Sequence, residues 1–282
     1  MNKINNKHFT GERDLFKQAD TIITNCLFDD GESPLKESRN LKIENCTFGW
    51  KYPLWYGDNH VVKSSKFMEM ARSGIWYTNN STFDNLDLIA PKLFRRCNNI
   101  TLSNLYFHEA KETLWTCTNV KMQNIKAEQG DYFGKDSTDV LIDNLKLDGN
   151  YCFDGGKNIH ISNSLLNSKD AFWNCENILI ENCTIIGEYF GWNSKNITLI
   201  NCTISSHQGF CYIDGLTLKN CKITDSDLIF EYCSNIQAEI TSGLDSVKNP
   251  ISGFIKAKSI KELIQDDEGI DLKNIQIITA DN

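Results

Sequence analysis

A near-constant period constrains this chain more than any other feature. Segments of the form Asn40-Leu41-Lys42-Ile43-Glu44-Asn45-Cys46-Thr47-Phe48 recur. They start at Asp20, Asn40, Asn59, Asn80, Asn99, Asn119, Asp139, Asn158, Asn177, Asn196, Gly215 and Asn235, with steps of 19–21 residues. Self-similarity at such a period marks a solenoid, in which each repeat buries its apolar face only against its neighbours. Within a segment, Leu41-Lys42-Ile43-Glu44 alternates with period two, which is a strand pattern. The third residue after each start is apolar (Ile23, Ile43, Val62, Phe83, Leu102, Met122, Ile142, Ile161, Ile180, Leu199, Leu218), and so is the eighth (from Phe28, Phe48 and Phe67 to Ile223). Some twenty residues are too few for a strand, a helix and two loops, but suit short strands joined by bends.

The expected fold is therefore all-β: a single-stranded right-handed parallel β-helix (a solenoid) of about 12 turns, one domain over 1–282. Residues 1–19 read as an imperfect first turn and 241–282 as a C-terminal capping region, because open β edges have to be closed off. In that region Ser259–Ile264 reads as a short helix and Ile275–Ile278 as a last strand. Leucine-rich repeats share a similar core pattern, but here no helical segment follows the strand. Pentapeptide solenoids need a strict period of five, which the drifting steps break.

Five residues after each start stands a second column, Asn in ten of eleven turns with Ser64 as the exception. Stacked at the strand spacing of about 4.8 Å, such amides can donate and accept along the axis, serving buried polar groups at the bends as an asparagine ladder. Asn also tolerates left-handed backbone.

The chain has 11 Cys. Cys26, Cys46, Cys183, Cys202 and Cys221 share one column; Cys97, Cys117, Cys175 and Cys233 share another. They read as small inward residues with free thiols. No Cys or His pair has metal-ligand spacing, so no metal and no cofactor are expected. Net charge is −8, which argues against a nucleic-acid partner. The N-terminal stretch lacks an apolar signal region, and no apolar run reaches the roughly 18 residues of a membrane span. The expectation is a cytoplasmic protein with no membrane partner. Four Asn-x-Ser/Thr matches, such as Asn182-Cys183-Thr184, follow from the repeat itself.

One column stands apart. Four residues before each start the chain reads Phe16, Lys36, Trp55, Trp76, Arg95, Trp115, Lys135, Asp154, Trp173, Trp192, Cys211 and Glu231, holding five of the six Trp. Its charged members show that it faces outward, or into a cleft. The preceding residues (Leu54, Ile75, Phe94, Leu114, Phe153, Phe172) read as core. Beside it lie Tyr56, Tyr77, Arg96, Tyr212 and Tyr232, and three residues before it Tyr52, Tyr132, Tyr151, Asp170 and Tyr189. Stacked along the axis, Trp55, Tyr56, Trp76, Tyr77, Arg95, Trp115, Tyr132, Tyr151, Trp173, Tyr189 and Trp192 would form an aromatic strip suited to an oligosaccharide. Aromatic faces pack on sugar rings, and an exposed apolar strip is rarely idle. The competing reading is a stack that stabilises the solenoid, or a patch for a protein partner or self-association. For chemistry, the candidate catalytic residues are Asp154, Lys135, Asp131 and Asp170, on or near the strip, with Glu188 and His207 close by. Paired carboxylates serve glycoside hydrolysis, and a lysine beside acids serves proton abstraction.

Gly11-Glu12-Arg13, Trp50-Lys51-Tyr52-Pro53-Leu54-Trp55-Tyr56, Gly74-Ile75-Trp76-Tyr77, Glu112-Thr113-Leu114-Trp115, Asp170-Ala171-Phe172-Trp173-Asn174-Cys175 and Glu188-Tyr189-Phe190-Gly191-Trp192-Asn193 resemble the bacterial family DUF3737, over nearly the whole chain. The resemblance implies a β-helix like that of pectate lyases and related sugar-active proteins. It implies no established activity, so it assigns no catalytic residue. Two functions stand against each other: a protein that binds or processes an oligosaccharide along the strip, and a non-enzymatic scaffold or protein-interaction module.

Overall fold

The computed structural model describes residues 1–280 and is an all-β parallel solenoid, with no α-helix among those residues. The coils number about 15 among the described residues, because the chain also coils before Asp20 and after Thr241. The residues group into two compact units, Met1–Asp148 and Gly149–Asn282.

In the first unit the longest strands are Asn79–Leu88, Asn98–Phe107, Thr118–Ala127 and Thr138–Asp148. They pair in parallel, with Leu102 opposite Phe83 and Met122, and Phe107 opposite Leu88 and Ala127. Alternation sends these residues inward, where all are buried. Phe9, Phe28, Phe48 and Phe67 follow one another with ring centroids 4.9, 5.0 and 4.6 Å apart. Each buried Phe contributes about 1.5–3 kcal/mol. In the second unit Glu176–Glu181 lies between Lys157–Ser162 and Lys195–Ile200, and Asp214–Thr224 extends the parallel sheet. Its core ladder is Phe153, Phe172, Phe190, Phe210 and Phe230, at 5.3, 5.3, 5.3 and 5.6 Å.

The capping region departs from expectation at one place. Ser259–Ile264 is a strand, not a helix, and pairs in parallel with Gly243–Lys248. An open row of backbone N–H and C=O groups outweighs the weak helical preference of six residues, since unpaired backbone polar groups are costly. Ile275–Thr279 forms the expected last strand, against Gly253–Ala257.

Corners explain the Asn columns. Asn99, Asn104, Asn119 and Asn124 all have φ between 54° and 56°, in the left-handed region. Their amides ladder along the axis: Asn124 donates to Asn104 at 3.0 Å, Asn144 to Asn124 at 2.8 Å, and in the second unit Asn220 to Asn201 at 2.8 Å. These ladders lie on the surface, so they pin exposed corners to one another and do not serve buried groups as the sequence suggested.

A second, buried corner column contains Ser38, Thr78, Cys97, Cys117, Ser137, Cys175, Ser194 and Cys233. From Thr78 onward, each hydroxyl or thiol donates to a backbone carbonyl one coil back, as Ser137 does to Leu114 and Cys117 to Phe94. Several also accept a backbone N–H; Cys175 N–H donates to Ser194 Oγ at 2.8 Å. All 11 cysteines are buried and free.

Candidate functional site: the aromatic strips

Each unit carries its own strip. In the first, the turn into the strip passes through bulky residues in left-handed backbone, Phe94 (φ 57°) and Leu114 (φ 59°). That conformation costs about 1–3 kcal/mol per residue. Burial of these side chains offsets it. With the core residue held there, the next side chain points outward.

The Trp residues are half-buried rather than freely exposed. Trp55 and Trp76 stack at 5.2 Å with 9° between planes, and Tyr52 lies 4.4 Å from Trp55. The Arg95 guanidinium sits between Trp76 and Trp115, 4.4 Å from each ring. Arg95 also meets Glu112 at 3.4 Å, and Lys92 reaches the same carboxylate at 3.1 Å. Its Nε is buried without a hydrogen-bond partner. Three indole N–H groups are held within the chain: Trp55 donates to Ser73 O, Trp76 to Lys92 O at 2.9 Å and Trp115 to Tyr132 O at 2.7 Å. The ring faces thus cover one another along the axis. This column is a set of staples between coils, which is what its tied N–H groups indicate.

One residue further along, the picture changes. Tyr56 and Tyr77 stack at 4.7 Å and 2°, and Tyr56 is 47% exposed. Lys36 Nζ lies 5.6 Å from the Tyr56 ring, and the Arg96 guanidinium 5.8 Å from that of Tyr77. Arg96 donates to Tyr77 Oη at 3.3 Å. Neither Lys36 nor Arg96 forms an ion pair with a carboxylate among the described residues. Tyr132 lies 6.4 Å from Trp115, edge to face, and Lys135 Nζ 5.9 Å from Tyr132. Asp131 is exposed, and its carbonyl accepts the Glu112 N–H.

In the second unit Tyr151 meets Trp173 edge to face at 5.2 Å, and Trp173 lies 5.8 Å from Trp192. Trp173 N–H donates to Tyr189 O at 2.7 Å, and Lys169 Nζ sits 5.6 Å from the Tyr189 ring and 3.3 Å from Glu188. The strip then slips by one residue. Trp192 is followed by Tyr212 (4.8 Å) and Tyr232 (5.2 Å further on), not by Cys211 and Glu231, which are buried. Those two were expected on the outward column; their backbone keeps the register of Trp192, but both are buried, Glu231 bonded by Gln208 Nε2 at 3.1 Å and by Lys248 Nζ at 3.0 Å.

The acid–base candidates fall in both units. Asp131 and Lys135 belong to the first unit, Asp154 and Asp170 to the second. Asp154 Oδ1 accepts from Asn174 Nδ2 at 3.0 Å, and Asn193 donates to Asn174 at 2.9 Å, so Asp154 takes part in a surface amide ladder. Asp170, expected outside, is only 4% exposed. Asn150 Oδ1 accepts the N–H groups of both Tyr151 and Asp170 at 2.9 Å, which draws that segment inward. His207 lies 3.7 Å from Asp227 and 6.5 Å from the Tyr189 ring. Among the described residues no three His, Cys, Asp or Glu converge so as to hold a metal. No helix there is long and apolar enough to cross a membrane.

A family model described as "Protein of unknown function (DUF3737)" matches residues 2–278. No curated protein matches the chain. Among solved structures, the A-module of a mannuronan C-5 epimerase from Azotobacter vinelandii is similar over 99% of this chain and 90% of its own, at 10% identity and a TM-score of 0.43. A surface adhesin of Streptococcus pneumoniae is similar over 89% and 68%, at 12% identity and 0.31. A pentapeptide repeat protein from the cyanobacterium Nostoc covers 79% and 92%, at 10% identity and 0.23. Likeness at this level bears on neither ligand nor reaction.

Proposed function

We propose a function for this chain, which belongs to the DUF3737 family of proteins of unknown function: it binds a linear acidic oligosaccharide along the tyrosine row of its first unit. The observation that carries this reading is the row Tyr56, Tyr77 and Arg96 at the pitch of one coil, with Lys36 of the adjoining column reaching toward the Tyr56 ring and neither cation neutralised by a carboxylate among the described residues. Phenol hydroxyls donate to and accept from sugar hydroxyls. A lysine and an arginine at the two ends suit uronate carboxylates, the arginine by a forked pair of N–H groups. A pitch of one coil is close to the length of one hexose, so successive sugars would meet equivalent groups. The Trp column plays the supporting part, holding the row rigid. The role is one of binding, and Asp131, Lys135, Asp154 and Asp170 take no catalytic part in it.

Calorimetric titration with oligogalacturonate, beside a neutral gluco-oligosaccharide of equal length, tests this. Saturable heat with the uronate alone, weakened by salt and lost in Tyr77→Ala and Arg96→Ala, is expected. Uronate binding that both variants leave intact, or no binding at all, refutes it. The interaction-module reading has its own observation, the covered Trp faces with tied N–H groups. It predicts no heat with any sugar.

A further inference from the structure

On another part of the first unit, after the second Asn column, titratable side chains of four coils meet. Asp87 accepts on both oxygens: His108 Nε2 lies 2.6 Å from Oδ1, and Lys66 Nζ 2.9 Å from Oδ2. The Tyr106 ring packs on the imidazole at 3.8 Å. Tyr106 is itself fixed, its Oη donating to Glu128 Oε2 at 2.6 Å and Lys126 Nζ lying 4.1 Å from its ring. Lys126 closes the network on Glu128 at 2.8 Å. A shallow groove of about 410 Å³ runs alongside, lined by Ser65, Lys66, Asn85, Asp87, Asn104 and Tyr106 among others.

Surface histidines often meet carboxylates, and this chain offers a comparison. His8 pairs with Asp29, His160 with Glu181 and His207 with Asp227. Among the described residues only Asp87 holds a lysine as well as a histidine. Its contact to the imidazole is also the shortest of the four, within the range of a charge-assisted bond. One carboxylate therefore fixes a base and a cation side by side. With Nε2–H donating to Asp87, the lone pair of Nδ1 is left for a proton.

We propose that Asp87, His108 and Lys66 form an acid–base site that hydrolyses acyl esters of small hydroxylated compounds. A water beside the half-exposed imidazole gives its proton to His108 Nδ1 as its O–H bond breaks, and its oxygen adds to the acyl carbon. The Lys66 ammonium faces the negative charge that develops on the carbonyl oxygen. Collapse of the adduct breaks the bond to the alcohol oxygen, which takes the proton back from Nδ1. Ester and water become acid and alcohol, and nothing is oxidised or reduced. Asp87 is a positioning residue: it sets the tautomer and steadies the imidazolium. Tyr106, Glu128 and Lys126 hold the ring in place. The site shares no residue with the tyrosine row, so either reading can fail alone.

The test is hydrolysis of p-nitrophenyl acetate and of a peracetylated methyl glucoside by the full chain. Saturable turnover is expected. His108→Ala lowers kcat/KM by roughly 10²-fold or more. Asp87→Asn and Lys66→Met lower it by at least ~10-fold, and His160→Ala leaves it unchanged. Circular dichroism and the thermal midpoint establish that each variant is folded; His108→Gln replaces His108→Ala should the latter not fold. Nitrogen chemical shifts of His108 provide a second reading: the proton sits on Nε2 in the wild type and redistributes in Asp87→Asn. A rate no higher than that of free imidazole at equal concentration, or one that survives in folded His108→Gln, overturns the proposal.

Discussion

Acid should unfold this protein through His60, and the size of the effect follows from its surroundings. The side chain is only 1% exposed. Nδ1 accepts the Leu41 N–H at 3.4 Å, and Nε2 lies 3.2 Å from Ser38 Oγ, whose own hydroxyl donates to Leu35 O. A proton added at Nδ1 would face the Leu41 N–H head on, inside a core that cannot solvate the charge. Burial accordingly lowers the His60 pKa from 6.5 to about 4, although Asp58 pulls the other way. In the unfolded chain the imidazole takes up its proton as pH falls through about 6.5; in the folded chain it does so only near 4. Below about 6.5 the unfolded state therefore binds more protons, and stability falls with pH until about 4, where the difference is complete. From neutral pH to below that point the loss is about 3 kcal/mol, and about 2 kcal/mol of it is reached at pH 5. Urea unfolding of the wild type and of His60→Gln at pH 8 and pH 5 measures it. The wild type should lose about 2 kcal/mol more than the variant over that interval. Equal losses in the two proteins, or a directly titrated His60 with an ordinary pKa, would refute the reasoning.

Other consequences are checked in the same way. Arg95→Ala removes two cation–aromatic contacts and the ion pair with Glu112, and should destabilise the first unit by about 1–3 kcal/mol in urea unfolding. A smaller loss in Arg95→Met would trace part of the Arg95 contribution to its stem. A methyl group at Gly57 would come 2.5 Å from His60 Nε2, so Gly57→Ala should cost about 1–3 kcal/mol at pH 8. The same change should cost little when His60 is replaced by Ala. The 11 thiols are buried, and burial pushes Cys152 up to about 12 and Cys46 to about 11. Native protein should therefore react with fewer than about one equivalent of a disulfide reagent, and with all 11 in denaturant. Rapid native labelling would contradict the buried corner columns.

The repeat was readable because one coil imposes its period on every coil: a column of Ile, Leu or Val has to face inward wherever it recurs. The left-handed corners at the Asn columns were readable too, since after Gly it is Asn that adopts that backbone most readily. Ring orientation was not. Residue type places Trp76 on the outside, but only the next coil decides that its face is covered by Arg95 and its N–H held by Lys92. The burial of Glu231 depends on its partners Gln208 and Lys248, which a column of residue types does not reveal. The strand at Ser259–Ile264 answers to a partner, Gly243–Lys248, that no local pattern reveals. Asp170 looks like a surface acid until Asn150 is seen to hold its backbone. The meeting of Asp87, His108 and Lys66 had a faint signal, the offset of 21 residues in each step from Lys66 to Asp87 to His108, close to the coil period.

The buried corner positions Thr78, Cys97, Cys117, Ser137, Cys175, Ser194 and Cys233 hold oxygen in some coils and sulfur in others. What recurs at these corners is a small atom that donates a hydrogen one coil back, and both elements can do so. Architecture and redox character are thus separable in this chain. Lineages that move to an oxidising compartment can trade thiols for hydroxyls one coil at a time, and at no step does the backbone have to be redrawn.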